Sequence, residues 1–272
     1  MINFYSNLKI LLKDQLFKVK NRKIISQTIK IRNTKKDKNV ILLATGNSLS
    51  KIDLKKINNL KSKNFDIFSL GGFIASDVSQ NIDIDYYLLS DERTIFPDQF
   101  DLEENLKDVI VKTIEILKKK KTKLFLPTET WGKHNFKDNE IFYFNNNPDN
   151  ATKNITDITK YFGYGSISGL KALSICKHLG YKKIYFIGLD NNHWNNIKVN
   201  HENEIFQVHR HFYDDDGVYR KNFNVKSISN LLRRSSGVFE GFEKFKNFDI
   251  INLDPDSLID CFSKSHQLDV YK

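Results

Sequence analysis

Apolar residues in this chain come in two spacings. Val40-Ile41-Leu42-Leu43-Ala44, Phe65–Leu70, Tyr86-Tyr87-Leu88-Leu89, Lys123-Leu124-Phe125-Leu126, Ile141-Phe142-Tyr143-Phe144, Lys183–Ile187 and residues 248–253 are short, nearly continuous runs. Runs of that length, rich in β-branched and aromatic residues and broken off by small polar ones, predict strands of a buried sheet. Between them, apolar positions at helical spacing predict helices near 53–61, 103–119, 167–179 and 236–246, with a short last helix near 256–262. Lys118 to Lys121 suit the C-terminus of one helix, and Gly180 is placed to cap another. Residues 128–160 are polar, asparagine-rich and aromatic, and are expected to supply a strand at 141–144 and loops lining a site. Strands alternating with helices in this way predict an α/β fold. It should be Rossmann-like and doubly wound, with a mainly parallel sheet and a long irregular insertion, 191–235, before the last helices.

Charge divides the chain in two. The formal net charge is +10, yet residues 1–38 alone hold eleven Lys or Arg against Asp14 and Asp37, so the remainder is close to neutral. Phe4, Leu8, Leu11, Leu12, Leu16 and Val19 recur at helical spacing with lysines between them. The expected organisation is a basic amphipathic arm, 1–38, followed by one Rossmann-like domain, 39–272. Such a helix suits an anionic membrane surface, worth up to ~1 kcal/mol per cation. A helix packed on its own domain and a lysine-rich unstructured arm are the plainer alternatives. Nucleic acid is not an expected partner, because the body has no basic excess and no binding motif. No apolar run approaches the ~20 residues of a membrane span, and no signal-peptide pattern is visible. Cys176 and Cys261 show no metal spacing, and Cys176 fits a small core residue of a reducing compartment.

The candidate chemistry sits where the apolar runs stop. After Ala44 come Thr45, Gly46, Asn47 and Ser48, which read as a phosphate-binding turn at a helix N-terminus: glycine for close backbone approach, short side chains for hydrogen bonds. Neither a Walker loop nor a full Gly-x-Gly-x-x-Gly fingerprint is present. An ordinary strand-to-helix turn without a ligand is the bland alternative. Ser166, Ser168 and Gly169 open the 167–179 helix, and the next strand ends in Gly188-Leu189-Asp190, where open α/β sheets bind ligands. Asp190 has its own plain reading, as the cap of the following turn.

Taken together, these motifs resemble the bacterial lipooligosaccharide sialyltransferase family, which uses CMP-sialic acid. The resemblance rests on Ala44-Thr45-Gly46-Asn47-Ser48-Leu49, Ser168-Gly169, Leu179-Gly180-Tyr181-Lys182, Gly188-Leu189-Asp190 and the run Ile251 to Leu258, in order over residues 39–262. It implies an inverting glycosyltransferase with no cofactor beyond its CMP-sugar donor substrate, acting on a glycan or lipid-linked glycan acceptor. It also implies a cytoplasmic protein, peripheral on the inner face of a bacterial inner membrane; homo-oligomerisation is compatible with it. Family members place asparagines at three strand ends, and the positions here are Thr45, Gly71 and Ser90. A family tyrosine is replaced within Asn191-Asn192-His193, which makes Asn192 the candidate there. These departures leave open whether the sugar is sialic acid, another nonulosonic acid or the sugar of a different nucleotide donor.

The insertion concentrates the remaining chemistry in Val208-His209-Arg210-His211-Phe212-Tyr213-Asp214-Asp215-Asp216. Glycosyl transfer needs a base for the acceptor hydroxyl and donors for the departing phosphate. Histidine titrates in the right range for the first task, and Arg210 and Tyr213 suit the second. The family's base is a histidine before the penultimate helix, which makes His209 and His211 the candidates by position. In an extended segment both point to one side, and His211 is preferred because Tyr213 shares its face. Solvated histidines, or a metal held by His193, His201, His209, His211 and Asp214 to Asp216, are the rival readings; no metal is expected, since no zincin spacing occurs. A non-catalytic nucleotide- or glycan-binding accessory protein is the remaining alternative.

Overall fold

In the computed structural model, which describes residues 2–146, 154–161, 167–191, 197–209, 218–221 and 227–266, the apolar runs lie side by side in one sheet. Helices α1 (Ile2–Asn21) and α2 (Ser26–Lys30) precede strands β1 (Asn39–Leu43), β2 (Phe65–Leu70) and β3 (Tyr86–Leu88). Helix α3 (Glu104–Lys120), strands β4 (Lys123–Pro127) and β5 (Ile141–Phe144), helix α4 (Ser168–Leu179) and strand β6 (Lys183–Ile187) follow. Three short strands, β7 (Ile197–Val199), β8 (Ile205–His209) and β9 (Val218–Lys221), lead to helix α5 (Ile228–Glu243) and strands β10 (Ile250–Asn252) and β11 (Ser263–Lys264). The main sheet has the order β11-β10-β6-β1-β2-β3-β4-β5, and its neighbouring strands all pair in parallel. The chain builds outward from β1 to β5, returns across the sheet through α4, and builds outward again from β6. The order therefore reverses between β1 and β6, and the expected doubly wound α/β architecture is present.

Alternation within each strand makes two cores from one sheet. Val40, Leu42, Phe68, Leu70, Tyr86, Leu88, Phe125 and Phe142 face α4 and α5 through Leu170, Leu173, Cys176 and Phe242. Ile41, Leu43, Ile67, Tyr87, Leu89, Leu124 and Leu126 turn to the other side, against Leu54, Ile57, Leu60 and Leu117. Helix α4 lies in the middle of the first core and is buried on nearly every side, down to Cys176, Ser174 and His178.

The structure departs from the predicted elements in three places. The helix expected near 53–61 is a 3₁₀ helix, Leu54–Lys63. Its buried residues Leu54, Ile57 and Leu60 repeat every third position, the period of 3₁₀ and not of α geometry. The helix expected near 256–262 is absent. There Asp256 N–H donates to the Asp254 carboxylate (3.3 Å) and Ile259 N–H to Ser257 Oγ (3.2 Å), so side chains compete for the N–H groups a helix would use. The chain then returns as β11, beside β10. The insertion 191–235 is not irregular throughout: β7, β8 and β9 form an antiparallel sheet, and α5 already begins at Ile228.

Residues 25–38 are built into the domain. Ile25 and Thr28 are buried; Thr28 Oγ1 donates to the Tyr143 carbonyl (2.8 Å), and its own carbonyl lies 2.9 Å from His178 Nε2. Asn33 and Lys35 N–H groups bond the His178 and Leu179 carbonyls at the end of α4 (2.9 Å each). Lys35 and Lys38 then converge on Asp66 at 2.8 and 2.7 Å, and Tyr181 Oη donates to the same carboxylate at 2.6 Å. Burial alone would push the Asp66 pKa up; the three donors outweigh it and hold it below the usual carboxylate range. A carboxyl held down in the folded state adds stability above its unfolded pKa and loses it as pH falls through the folded value. Asp66→Asn should therefore cost about 1–3 kcal/mol near neutrality, both lysines being able to reach water once released. In thermal melts taken from neutral to about pH 3, the gap between variant and parent should close on the acid side; a gap independent of pH would show that Asp66 is not held as an anion.

Candidate functional site

The ends of β1 and β6 approach so closely that only glycine fits at both. Gly46 N–H donates to the Gly188 carbonyl at 2.8 Å. A Cβ on Gly46 would stand 2.6 Å from that carbonyl oxygen and 2.7 Å from the Asp190 carboxyl. Gly188 has φ +81°, and a Cβ there would meet the Ala44 carbonyl carbon at 2.8 Å. The chain then enters a 3₁₀ turn, Asn47–Lys51, in which Ser48 is buried. Ser48 Oγ donates to Asp190 Oδ1, its N–H donates to Asp190 Oδ2 at 3.0 Å, and Gly188 N–H donates back to Ser48 Oγ at 3.0 Å. Burial, joined by the nearby Asp254, raises the Asp190 pKa above the usual range against the pull of these bonds. Lys51 extends the junction to the end of β10, with Asp254 and Asp256 both at 2.9 Å. The space at Gly46 that the sequence assigns to a ligand is thus filled by Gly188 and Asp190.

A second cluster faces it across the strand ends. Ser90, after β3, and Ser168, the first residue of α4, share a hydrogen bond of 2.7 Å. Asn146, after β5, reaches the Ser90 carbonyl at 3.4 Å. Gly169 packs so closely on Leu189 that a Cβ would lie 2.6 Å from its Cδ2. Gly71 (φ +66°) sits beside Thr45, whose Cγ2 is 3.3 Å from where a Cβ would be. The N-terminus of α4 is therefore held over the carboxyl ends of the central strands, between β3 on one side and the segment after β6 on the other. Its N-cap residue, Ile167, supplies no side-chain hydrogen bond to the first turn.

Thr45, Gly46, Asn47, Ser48, Gly71, Ser90, Ser168, Gly169, Gly188 and Asp190 all lie at this one end of the sheet. Ser166, Asn192, Arg210, His211 and Tyr213 lie outside the described residues, as do His193 and Asp214 to Asp216. His209 ends β8, but its side chain is not among the described ones. Among the described residues no group of three His, Cys, Asp or Glu is placed to hold a metal ion. Sequence reading missed Lys171. It belongs to the first turns of α4 and is only 7% exposed, and burial pushes its pKa below the ordinary lysine value. The available signal was a lysine set among Leu170, Ala172 and Leu173, where a core-facing helix should carry none. Asn146, half-buried after β5, and Asn252, buried at the end of β10, were also unmarked.

No family model and no curated protein sequence matches the chain. Among solved structures, that of the MAf glycosyltransferase from Magnetospirillum magneticum AMB-1 is similar at 11% sequence identity and a TM-score of 0.49. The match covers 90% of this chain and 38% of that one, so this chain spans well under half of its length.

The crowding at Gly46 has a direct consequence. Gly46→Ala should lower stability by about 1–3 kcal/mol, as other overpacked sites do, with the loss visible in a urea titration without any ligand. An unchanged unfolding midpoint would mean that the β1–β6 junction yields freely and that the glycine serves something other than chain packing.

Proposed function

We propose that this protein is a glycosyltransferase that takes its sugar from a nucleotide-activated donor. The observation that carries this reading is the uncapped N-terminus of α4, held by the Ser90–Ser168 bond over the strand ends where the sheet order reverses. In open α/β sheets that crevice is the ligand site, and a helix N-terminus there favours an anionic group such as a nucleotide phosphate. The finer reading follows the motif order shared with the sialyltransferase family: a CMP ester of a sialic or other nonulosonic acid as donor, and a glycan or lipid-linked glycan as acceptor. His211, or His209 at the end of β8, would take the acceptor proton in an inverting displacement without a metal, and Arg210 and Tyr213 would stabilise the departing phosphate.

The order of tests follows from that. In a saturation-transfer screen of CMP, UMP, GMP and NAD, CMP should bind and NAD should not. With the matching CMP-sugar, His211→Ala should lower turnover by roughly 10²–10⁴ and leave donor binding intact, and activity should survive EDTA. Binding of nucleotide without turnover on any acceptor would favour the accessory-protein reading; no nucleotide binding at all would sink the transferase and leave only a glycan-binding accessory protein.

Helix α1 supports a role at a membrane surface. Asp14 accepts the Tyr161 N–H at 2.8 Å and Phe17 packs edge-on to the Tyr161 ring, so one face of α1 rests on the domain. Leu8, Leu11, Leu12, Leu16 and Val19 share the opposite face and are exposed, up to 78% at Val19. Lysines border that face, the arrangement of a helix that lies in an anionic lipid interface. No helix among the described residues is long and apolar enough to cross a membrane. Because Ile25 and Thr28 are core residues, the informative truncation removes residues 1–22 and not the whole basic segment. The shortened protein should stay folded and lose most binding to phosphatidylglycerol vesicles, while binding of the full chain should weaken as salt rises. Equal vesicle binding by both proteins would end the anchor reading.

A further inference from the structure

Lys171 is a cation set into a buried helix with no hydrogen bond or ion pair to its side chain among the described residues. It is the fourth residue of α4, a helix buried along most of its length, and side chains on a helix lean back toward its N-terminus. The Lys171 stem therefore runs toward the uncapped first turn and the Ser90–Ser168 pair. Although the residue is only 7% exposed, it makes no side-chain hydrogen bond or ion pair among the described residues. The charges that act on it at longer range, Asp91 and Glu129, come from the segments after β3 and β4. Asp91 is committed to Arg93, at 2.6 Å. The Lys171 stem is buried, but its ammonium is not among the enclosed polar groups that lack a partner, so a charged end on a desolvated stem is left within reach of a ligand.

We propose that Lys171 and the N-terminus of α4 together form an oxyanion site that takes a phosphate group, the Lys171 ammonium and the first-turn N–H groups binding its oxygens while Ser168 and Ser90 present hydroxyls beside them. Phosphate suits this set better than carboxylate, because its oxygens are arranged tetrahedrally and meet donors from several directions: the diester of a CMP-sugar offers two non-bridging oxygens to the amine and the helix N–H groups, and CMP itself offers a third to a hydroxyl. With a nucleotide ligand, which is the reading proposed above, the group is the phosphate joining nucleoside to sugar, and the site holds the charge that grows there as the sugar leaves. The side-chain ammonium would act as a donor and countercharge, with no covalent bond to the ligand.

The test follows the lysine ε-carbon resonances of isotope-labelled, full-length protein, with the Lys171 signal assigned by its loss in Lys171→Met. Inorganic phosphate, at ionic strength held constant with sodium chloride, should shift that signal saturably, and CMP should do so at lower concentration. Calorimetry should show CMP binding weakened by about 10- to 100-fold in Lys171→Met, the worth of one charge-assisted hydrogen bond, with cytidine affinity changed less than about 2-fold. Lys171→Arg should restore part of the loss. The proposal is overturned if CMP binds while the Lys171 signal stays put, if Lys171→Met keeps full preference for CMP over cytidine, or if neither phosphate nor CMP moves the signal. A signal that responds to phosphate in a protein indifferent to CMP and cytidine would keep the oxyanion site and reject the nucleotide reading. If Lys171→Met fails to fold, the loss of the signal in Lys171→Arg supplies the assignment and the wild-type titration decides the matter.

Discussion

The closure of β1 on β6 governs what the rest of the molecule can do. Two glycines bring the backbones within hydrogen-bond reach beyond the last paired residues of the strands, and Ser48 and Asp190 lock the segments that leave them. Without a Cβ at either position the sheet can turn its order around at this seam and still remain closed. Everything that follows depends on the seam being narrow. The chain after β6 is held against the loop after β1, Leu189 is brought under Gly169, and the start of α4 is thereby fixed over the strand ends.

Asp190 sits at this seam for a structural reason that also has an electrostatic side. Its carboxyl satisfies two donors of Ser48, yet burial makes its charge costly and the neighbouring Asp254 adds to the cost. Lys51 offsets part of that from the β10 side. The negative end of the cleft is therefore neutralised from within, by serine and lysine. At the start of α4 the charges acting on Lys171 are those of Asp91 and Glu129, at longer range.

The strands were legible because burial on both faces leaves long apolar runs, and β1, β2, β5 and β6 fall within one or two residues of where those runs predict them. The grouping of the candidate residues was legible for a related reason: Thr45, Gly71, Ser90 and Gly188 mark where such runs must end, and strand ends in a parallel sheet lie together. What escaped was set by local competition and by long-range packing. Leu54, Ile57 and Leu60 are compatible with a helix until the surrounding core imposes a threefold repeat. Asp254, Ser257 and Pro255 disperse the bonds of the last expected helix into turns. Lys171 escaped because an isolated lysine looks like a solvated position until neighbouring elements close over it. Gly46 was found for the wrong contact: a glycine required by close approach does not say in sequence whether ligand or chain does the approaching.

Thr28 sets a limit on how copies of this chain can meet. Strand β5 forms one margin of the sheet, and the carbonyl of Tyr143 is taken by the Thr28 hydroxyl. An incoming strand that sought to extend the sheet there would first have to displace α2, and with it the bond between Thr28 and His178. The far margin is β11, only two residues long and so a poor template for pairing. The basic N-terminal segment, read first as something that reaches outward, thus also seals the flank through which a sheet of this kind would otherwise polymerise.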